Sequence, residues 1–287
     1  MSWFVFSLLN AFFESAANAL VKKNAEEFDI YSMSWAQRFF SLVLLLPATI
    51  LTNSFQSVDT TFWVAVVLNA ILNTFIVLLF FKAIKNSPLS LALPIVTLTP
   101  VFLLITSPLI VGEYPTPMGV LGILITVFGS YVLNISKRKH GFLEPFRIIV
   151  KHKGTRMMLI VAFLWSITSN LDKIGIVHSN PYLFSLIVTC FILLFTTMLL
   201  FWKGRSIPTI LKHSSALAPI GLATGLSGLC QMIAISMTIV PNVIAIKRTS
   251  SVFGVMWGRI VFHEKNIKER LLGSAIMVLG VVFIVLS

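Results

Sequence analysis

Charge is what this chain has least of. Only 11% of its 287 residues are Asp, Glu, Lys or Arg, where soluble domains carry about 25%, so a water-soluble globule is excluded. Cysteine is limited to Cys190 and Cys230. Each sits alone in an apolar segment and reads as a small core hydrophobe, not as half of a disulfide or a metal ligand. The five histidines, at 140, 152, 178, 213 and 263, are scattered without metal-ligand spacing. Also missing are a phosphate-cradling loop, a dinucleotide fingerprint and a nucleophile elbow. No cofactor, no metal and no enzymatic activity are therefore expected. What the chain has in abundance is apolar: 57% hydrophobic residues, 24 Phe and a mean hydropathy of +0.93. It reads as an integral membrane protein.

Apolar runs of about 17 to 25 residues are long enough to cross a bilayer as helices, and backbone groups in lipid must be satisfied within the segment. Ten such runs are expected, near 3–21, 32–52, 60–81, 88–111, 117–135, 157–176, 182–201, 214–237, 242–262 and 271–287. The first lacks a basic leader and is followed by nine more, so it reads as a span and not as a cleaved signal. The odd-numbered loops carry two, two, seven, three and three Lys or Arg, whereas the even loops near 53–60, 112–117, 177–181 and 238–241 carry none. The positive-inside rule makes the odd loops cytoplasmic and both termini extracytoplasmic, in a cell (plasma or inner) membrane. The net charge of +12 then reads as an orientation signal with attraction to anionic lipid, and not as a nucleic-acid patch.

The one long hydrophilic loop, KRKHGFLEPFRIIVKHKGTR, divides the chain into two sets of five spans: residues 1–136, a basic cytoplasmic linker at 137–156, and residues 157–287. A shift of 151 positions matches the two sets without a gap. Ser15, Leu20 and Lys22 fall on Ser166, Leu171 and Lys173, and Glu113, Gly122 and Gly129 fall on Glu264, Gly273 and Gly280. An odd number of spans per copy makes the copies oppositely oriented. The expected fold is all-α, ten transmembrane helices as two inverted five-helix repeats around a central cavity. Inverted repeats are the design of alternating-access transporters, with substrate near the bilayer midplane.

Each copy closes on the same layout: a Pro or small residue, thirteen positions, Glu, a short turn, and a Gly-rich last helix. These are Pro100 to Glu113 with Gly122 and Gly129, and Ser251 to Glu264 with Gly273 and Gly280. In this the chain resembles the EamA-type permeases of the drug/metabolite transporter superfamily over its whole length. The resemblance implies a secondary transporter with a small-molecule substrate; either a monomer or a homodimer is expected.

Ionisable groups inside spans are the candidate site residues. Lys247 and Arg248 lie about five residues into the ninth span, roughly 8 Å deep. They either snorkel to the outer interface or form an anion site, since Arg offers a fork of donors and Lys a compact charge. The stretch NVIAIKR, 242–248, resembles the ninth helix of triose-phosphate and nucleotide-sugar translocators, where a Lys-Arg pair holds phosphate. Their fourth-helix lysine has no counterpart here, where Thr97 and Thr99 stand. Glu14, near the middle of the first span, is the coupling candidate, because a carboxyl group in lipid favours its protonated form. AFFESAANALVK resembles the first helix of small multidrug resistance pumps, which carry a buried Glu with Lys eight residues on. Glu14 is alternatively a structural charge paired with Lys247, Arg248 or Arg38. Its mate in the second copy is Trp165, a cavity wall or a packing aromatic. Thr97, Trp165 and Gln231 complete the expected substrate set. Asn69, Asn73, Asn170 and Gln231 also suit interhelical bonding, and Asp172-Lys173 read as interface charges. Pro94 and Pro100 are expected to kink the fourth span for gating. Two functions fit: carriage of a small organic anion or zwitterion, with protons as a coupling ion, or proton-driven export of cationic or amphipathic drugs centred on Glu14.

Overall fold

The computed structural model describes residues 2–24, 27–85, 95–135, 153–261 and 268–287. All regular structure among these residues is helical. The helices are α1 (Ser2–Asn24), α2 (Ile30–Leu51), α3 (Thr60–Lys85), α4 (Thr99–Ile110), α5 (Pro117–Ile135) and α6 (Lys153–Val177). They continue as α7 (Pro181–Trp202), α8 (Ile207–Lys212), α9 (Ser214–Met237), α10 (Val240–Lys247), α11 (Ser250–Ile260) and α12 (Lys268–Val285). Six, namely α1, α2, α3, α6, α7 and α9, are long and apolar enough to cross a membrane. Pro94, Glu264 and residues 137–152 of the expected linker lie outside the described residues.

Two departures from the expected spans stand out. The ninth is not one helix: α10 ends at Lys247, Arg248 and Thr249 form a turn, and α11 starts at Ser250. The fourth is interrupted at Thr97–Leu98, immediately before α4. Pro100 sits in the first turn of α4, where a missing N–H costs nothing, so it opens a helix instead of kinking one. The seventh loop also contains the short helix α8, for which hydropathy gave no signal.

The helices pack into two compact units. Unit A comprises Ser2–Thr74 and Leu171–Met237; unit B comprises Phe75–Asn170 and Thr238–Ser287. In unit A, α9 packs against α1, α2 and α7, and α2 also packs against α7. Met33, Trp35, Leu200, Leu217 and Ile220 form its tightest core. Gly221 lets α9 approach α2, because a Cβ there would stand 2.4 Å from the Phe40 Cβ. Asp29 begins α2 by accepting the Tyr31 and Ser32 N–H groups, and Asn180 begins α7 by accepting those of Tyr182 and Leu183. Such caps satisfy N–H groups that the first helical turn leaves open. Asn180 stands 151 positions after Asp29.

In unit B, α5 and α12 form the main pair, with α10 against α4, α5 and α12. Four glycines make the α5–α12 seam. A Cβ on Gly122 would lie 2.8 Å from the Gly280 carbonyl oxygen, and one on Gly129 would lie 2.9 Å from that of Gly273. Exchanging every residue for its mate 151 positions away returns the same two contacts. Val255 of α11 joins Leu133 and Met277 in a small core beside the seam. Large apolar side chains such as Leu51 and Leu109, 86% and 80% exposed, cover the outside, as lipid-facing surfaces require.

Candidate functional site

The two helix breaks share one geometry. Leu98 N–H donates to the Ile95 carbonyl at 3.0 Å, and Thr249 N–H donates to Ile246 at 2.9 Å. Val101 N–H reaches Leu98 at 2.9 Å, and Val252 N–H reaches Thr249 at 2.8 Å. Thr99 Oγ1 donates to the Val96 carbonyl at 2.8 Å and Thr249 Oγ1 to that of Ile246 at 2.7 Å. Both spans thus tighten into three-residue turns, and the backbone bonds and break positions are again 151 apart. Mid-helix tightening of this kind marks hinges and functional sites.

The second break carries the basic pair. Lys247 ends α10 and Arg248 is its C-cap; both are half-buried. The opposite end of α10 is fixed by a carboxylate, since the Val240 N–H donates to Glu113 Oε2 at 2.7 Å. A charged acceptor at a helix N-terminus satisfies an open donor and meets the positive end of the dipole. Nearly two turns before the break, Asn242 is 7% exposed and its Oδ1 has no hydrogen-bond partner among the described residues. Unit B therefore holds a discontinuous helix with two cations at the gap and an open buried acceptor nearby. Thr97 lies buried in the first break, and α10 packs on α4. Trp165 is half-buried and meets the Phe80 ring at 6.0 Å. A fork of donors and a point charge together suit a carboxylate or phosphate group.

Unit A holds the acidic candidates. Ser227 Oγ stands 2.8 Å from Asn10 Oδ1 and 3.1 Å from Glu14 Oε2. Asn10 Nδ2 donates to Gln231 Oε1 at 3.4 Å, and Gln231 Nε2 donates to Asp172 Oδ2 at 3.4 Å. Asn69 Nδ2 donates to Asp172 Oδ1 at 2.8 Å, and Asn73 Nδ2 donates to Asn69 Oδ1 at 2.6 Å. Arg38, half-buried, interacts electrostatically with both Glu14 and Asp172. Asp172 is 7% exposed, so it is an interior group and not the interface charge its place near a span end suggested. Lys173 donates to the Ile235 carbonyl at 2.9 Å. Asn170 behaves as expected, accepting from Ser107 and donating to Thr106 across α6 and α4 of unit B.

Glu14, Arg38 and Gln231 therefore belong to unit A, and Lys247, Arg248, Thr97, Trp165 and Pro100 to unit B. Sequence reasoning missed Asp172 and Ser227, whose partners are far away in the chain. It used Glu113 only as a repeat marker. The shift of 151 adds one contrast. Asn10, Glu14, Ser227 and Gln231 map onto Val161, Trp165, Ile76 and Phe80, so the polar cluster of unit A has an apolar and aromatic counterpart in unit B.

The sequence profile of the EamA-like transporter family matches residues 1–135 and again residues 152–286. The chain belongs to the EamA-like transporter family. It is a multi-pass membrane transporter of small molecules. A solved crystal structure shares the fold of this chain with a TM-score of 0.79. It is 15% identical, over 99% of this chain and 97% of the other. Among curated proteins none matches the chain.

Proposed function

We propose that this EamA-like protein is a secondary transporter of small organic anions or zwitterions. Two inverted five-helix repeats alternate access, and Lys247 and Arg248 bind the substrate's carboxylate or phosphate. The observation that carries this reading is the basic pair's position at the gap between α10 and α11. Discontinuous helices are where transporters bind substrates and ions, because ordinary backbone bonding is suspended there. The matching gap at Thr97–Leu98 and the exchange-symmetric glycine contacts support the repeat design. Thr97, Trp165 and Gln231 contribute the remaining substrate contacts, Pro94 and Pro100 flank the moving part of the fourth span, and Glu14 with Arg38 carries proton coupling. The protein works as a monomer or homodimer in a cell membrane, its basic loops against anionic lipid.

Ligand-induced stabilisation tests this. A ligand at about 100 times its Kd stabilises the folded state by about 2.7 kcal/mol. Purified protein screened against anionic, zwitterionic and cationic metabolites should gain melting temperature from anions or zwitterions. Lys247→Ala/Arg248→Ala should lose that gain. A second reading, proton-driven export of cationic or amphipathic compounds, draws on the polar chain around Glu14. Stabilisation by cations that survives the double variant and disappears in Glu14→Gln would favour it and sink the anion reading.

A further inference from the structure

Asp172 is the interior charge that the transport reading leaves without a role. Its surroundings give it one, deepening that reading at its proton-coupling side. Counting hydrogens along the chain from Glu14 exposes a shortage. Ser227 owns a single hydroxyl hydrogen, yet three acceptors lie within reach, Asn10 Oδ1 at 2.8 Å, Glu14 Oε2 at 3.1 Å and the Asn10 carbonyl oxygen at 3.2 Å. With Glu14 ionised, at least one of the two side-chain contacts holds no hydrogen. A proton on Glu14 supplies it: Glu14 donates to Ser227, and Ser227 donates to Asn10. From there every donor points the same way, Asn10 to Gln231 at 3.4 Å and Gln231 to Asp172 at 3.4 Å. Hydrogen bonds aligned head to tail strengthen one another, so a proton at Glu14 reinforces donation to the Asp172 carboxylate. The charge of Asp172, in turn, rewards a proton at Glu14.

We propose that Glu14 holds the proton and that Asp172 is a positioning residue, the anionic terminus that sets how firmly the proton is held. Arg38, on α2, interacts electrostatically with both carboxylates and is the cation placed to balance Asp172 when Glu14 is neutral. Among the described residues, charged or titratable groups next to this chain of bonds include Lys173 on α6, whose Nζ donates to the Ile235 carbonyl, and Cys230, which precedes Gln231 on α9. α3 contributes the amides Asn69 and Asn73.

The test needs no substrate, so its outcome is separate from that of the anion reading. The infrared C=O stretch of protonated carboxyl groups is followed in purified protein in lipid from about pH 5 to about pH 9, the range of enclosed acids. Wild type should show a titrating band that Glu14→Gln removes. Asp172→Asn should keep the band but take up its proton at a pH lower by about one unit or more. Gln231→Leu, which leaves every charge in place and cuts the bridge, should move it the same way and guards against misfolding of the Asp172 variant. Absence of the wild-type band, its survival in Glu14→Gln, or an unmoved midpoint in Gln231→Leu would each overturn the proposal.

Discussion

Asp59 works on a short range. Its Oδ1 accepts the Phe62 N–H at 2.9 Å and its Oδ2 meets His178 Nδ1 at 2.8 Å, at the start of α3. The backbone bond, followed by the His178 contact, holds its carboxyl below the usual carboxylate range. A depressed acid stabilises the fold fully above its unfolded value and loses that contribution as pH falls through the folded one. The melting-temperature gap between wild type and Asp59→Ala should therefore be widest near neutral pH and close toward strongly acidic pH. A gap that persists undiminished in acid would mean the side chain acts by shape alone. Single residues were unevenly legible in the sequence. Lys247, Arg248 and Glu14 announced themselves as charges in apolar runs. Asp172 did not, because Asn69 and Gln231 approach it from 103 and 59 positions away.

At the level of the element, apolar run length gave most helix limits within a few residues and missed both breaks. Hydropathy averages over a window and continues smoothly through Thr97–Leu98 and Arg248–Thr249. The usable local signal was Pro100, which lacks the N–H an unbroken helix would use and suits a first turn, but the second copy has Ser251 there and still breaks. The glycine repeat, in contrast, pointed directly to a close seam. A Cβ on Gly273 would fall 2.5 Å from the Leu133 backbone nitrogen, whereas one on Gly228 meets nothing within 4 Å. Gly273→Ala gains about 1 kcal/mol of helix propensity but must push α5 and α12 apart, an overpacking cost of about 1–3 kcal/mol. Thermal unfolding should thus find Gly273→Ala destabilised and Gly228→Ala unchanged or improved. Equal melting temperatures would mean that the seam yields without cost.

For the whole molecule, the duplication was the strongest thing the sequence carried. It recurs as caps at Asp29 and Asn180, as breaks 151 positions apart, and as glycine contacts that survive exchange. How residues are shared between units was not legible, because α3 and α6 each contribute to both and no composition change marks Thr74 or Asn170. The distribution of Lys and Arg makes its own prediction: a reporter fused after Ser287 should be active only outside the cytoplasm. Activity in the cytoplasm would reverse the orientation.

The polar quartet Asn10, Glu14, Ser227 and Gln231, set against Val161, Trp165, Ile76 and Phe80, has one more consequence. In a carrier whose halves were chemical twins, the states open to either side would be equal in free energy, and it would idle evenly between them. Here the two copies together build one unit with a polar cluster and another with apolar and aromatic side chains at the matching positions. If this protein alternates access with Glu14 as its proton site, as we propose, that difference gives it a preferred resting state, and acidity on one side of the membrane would set how often it leaves it.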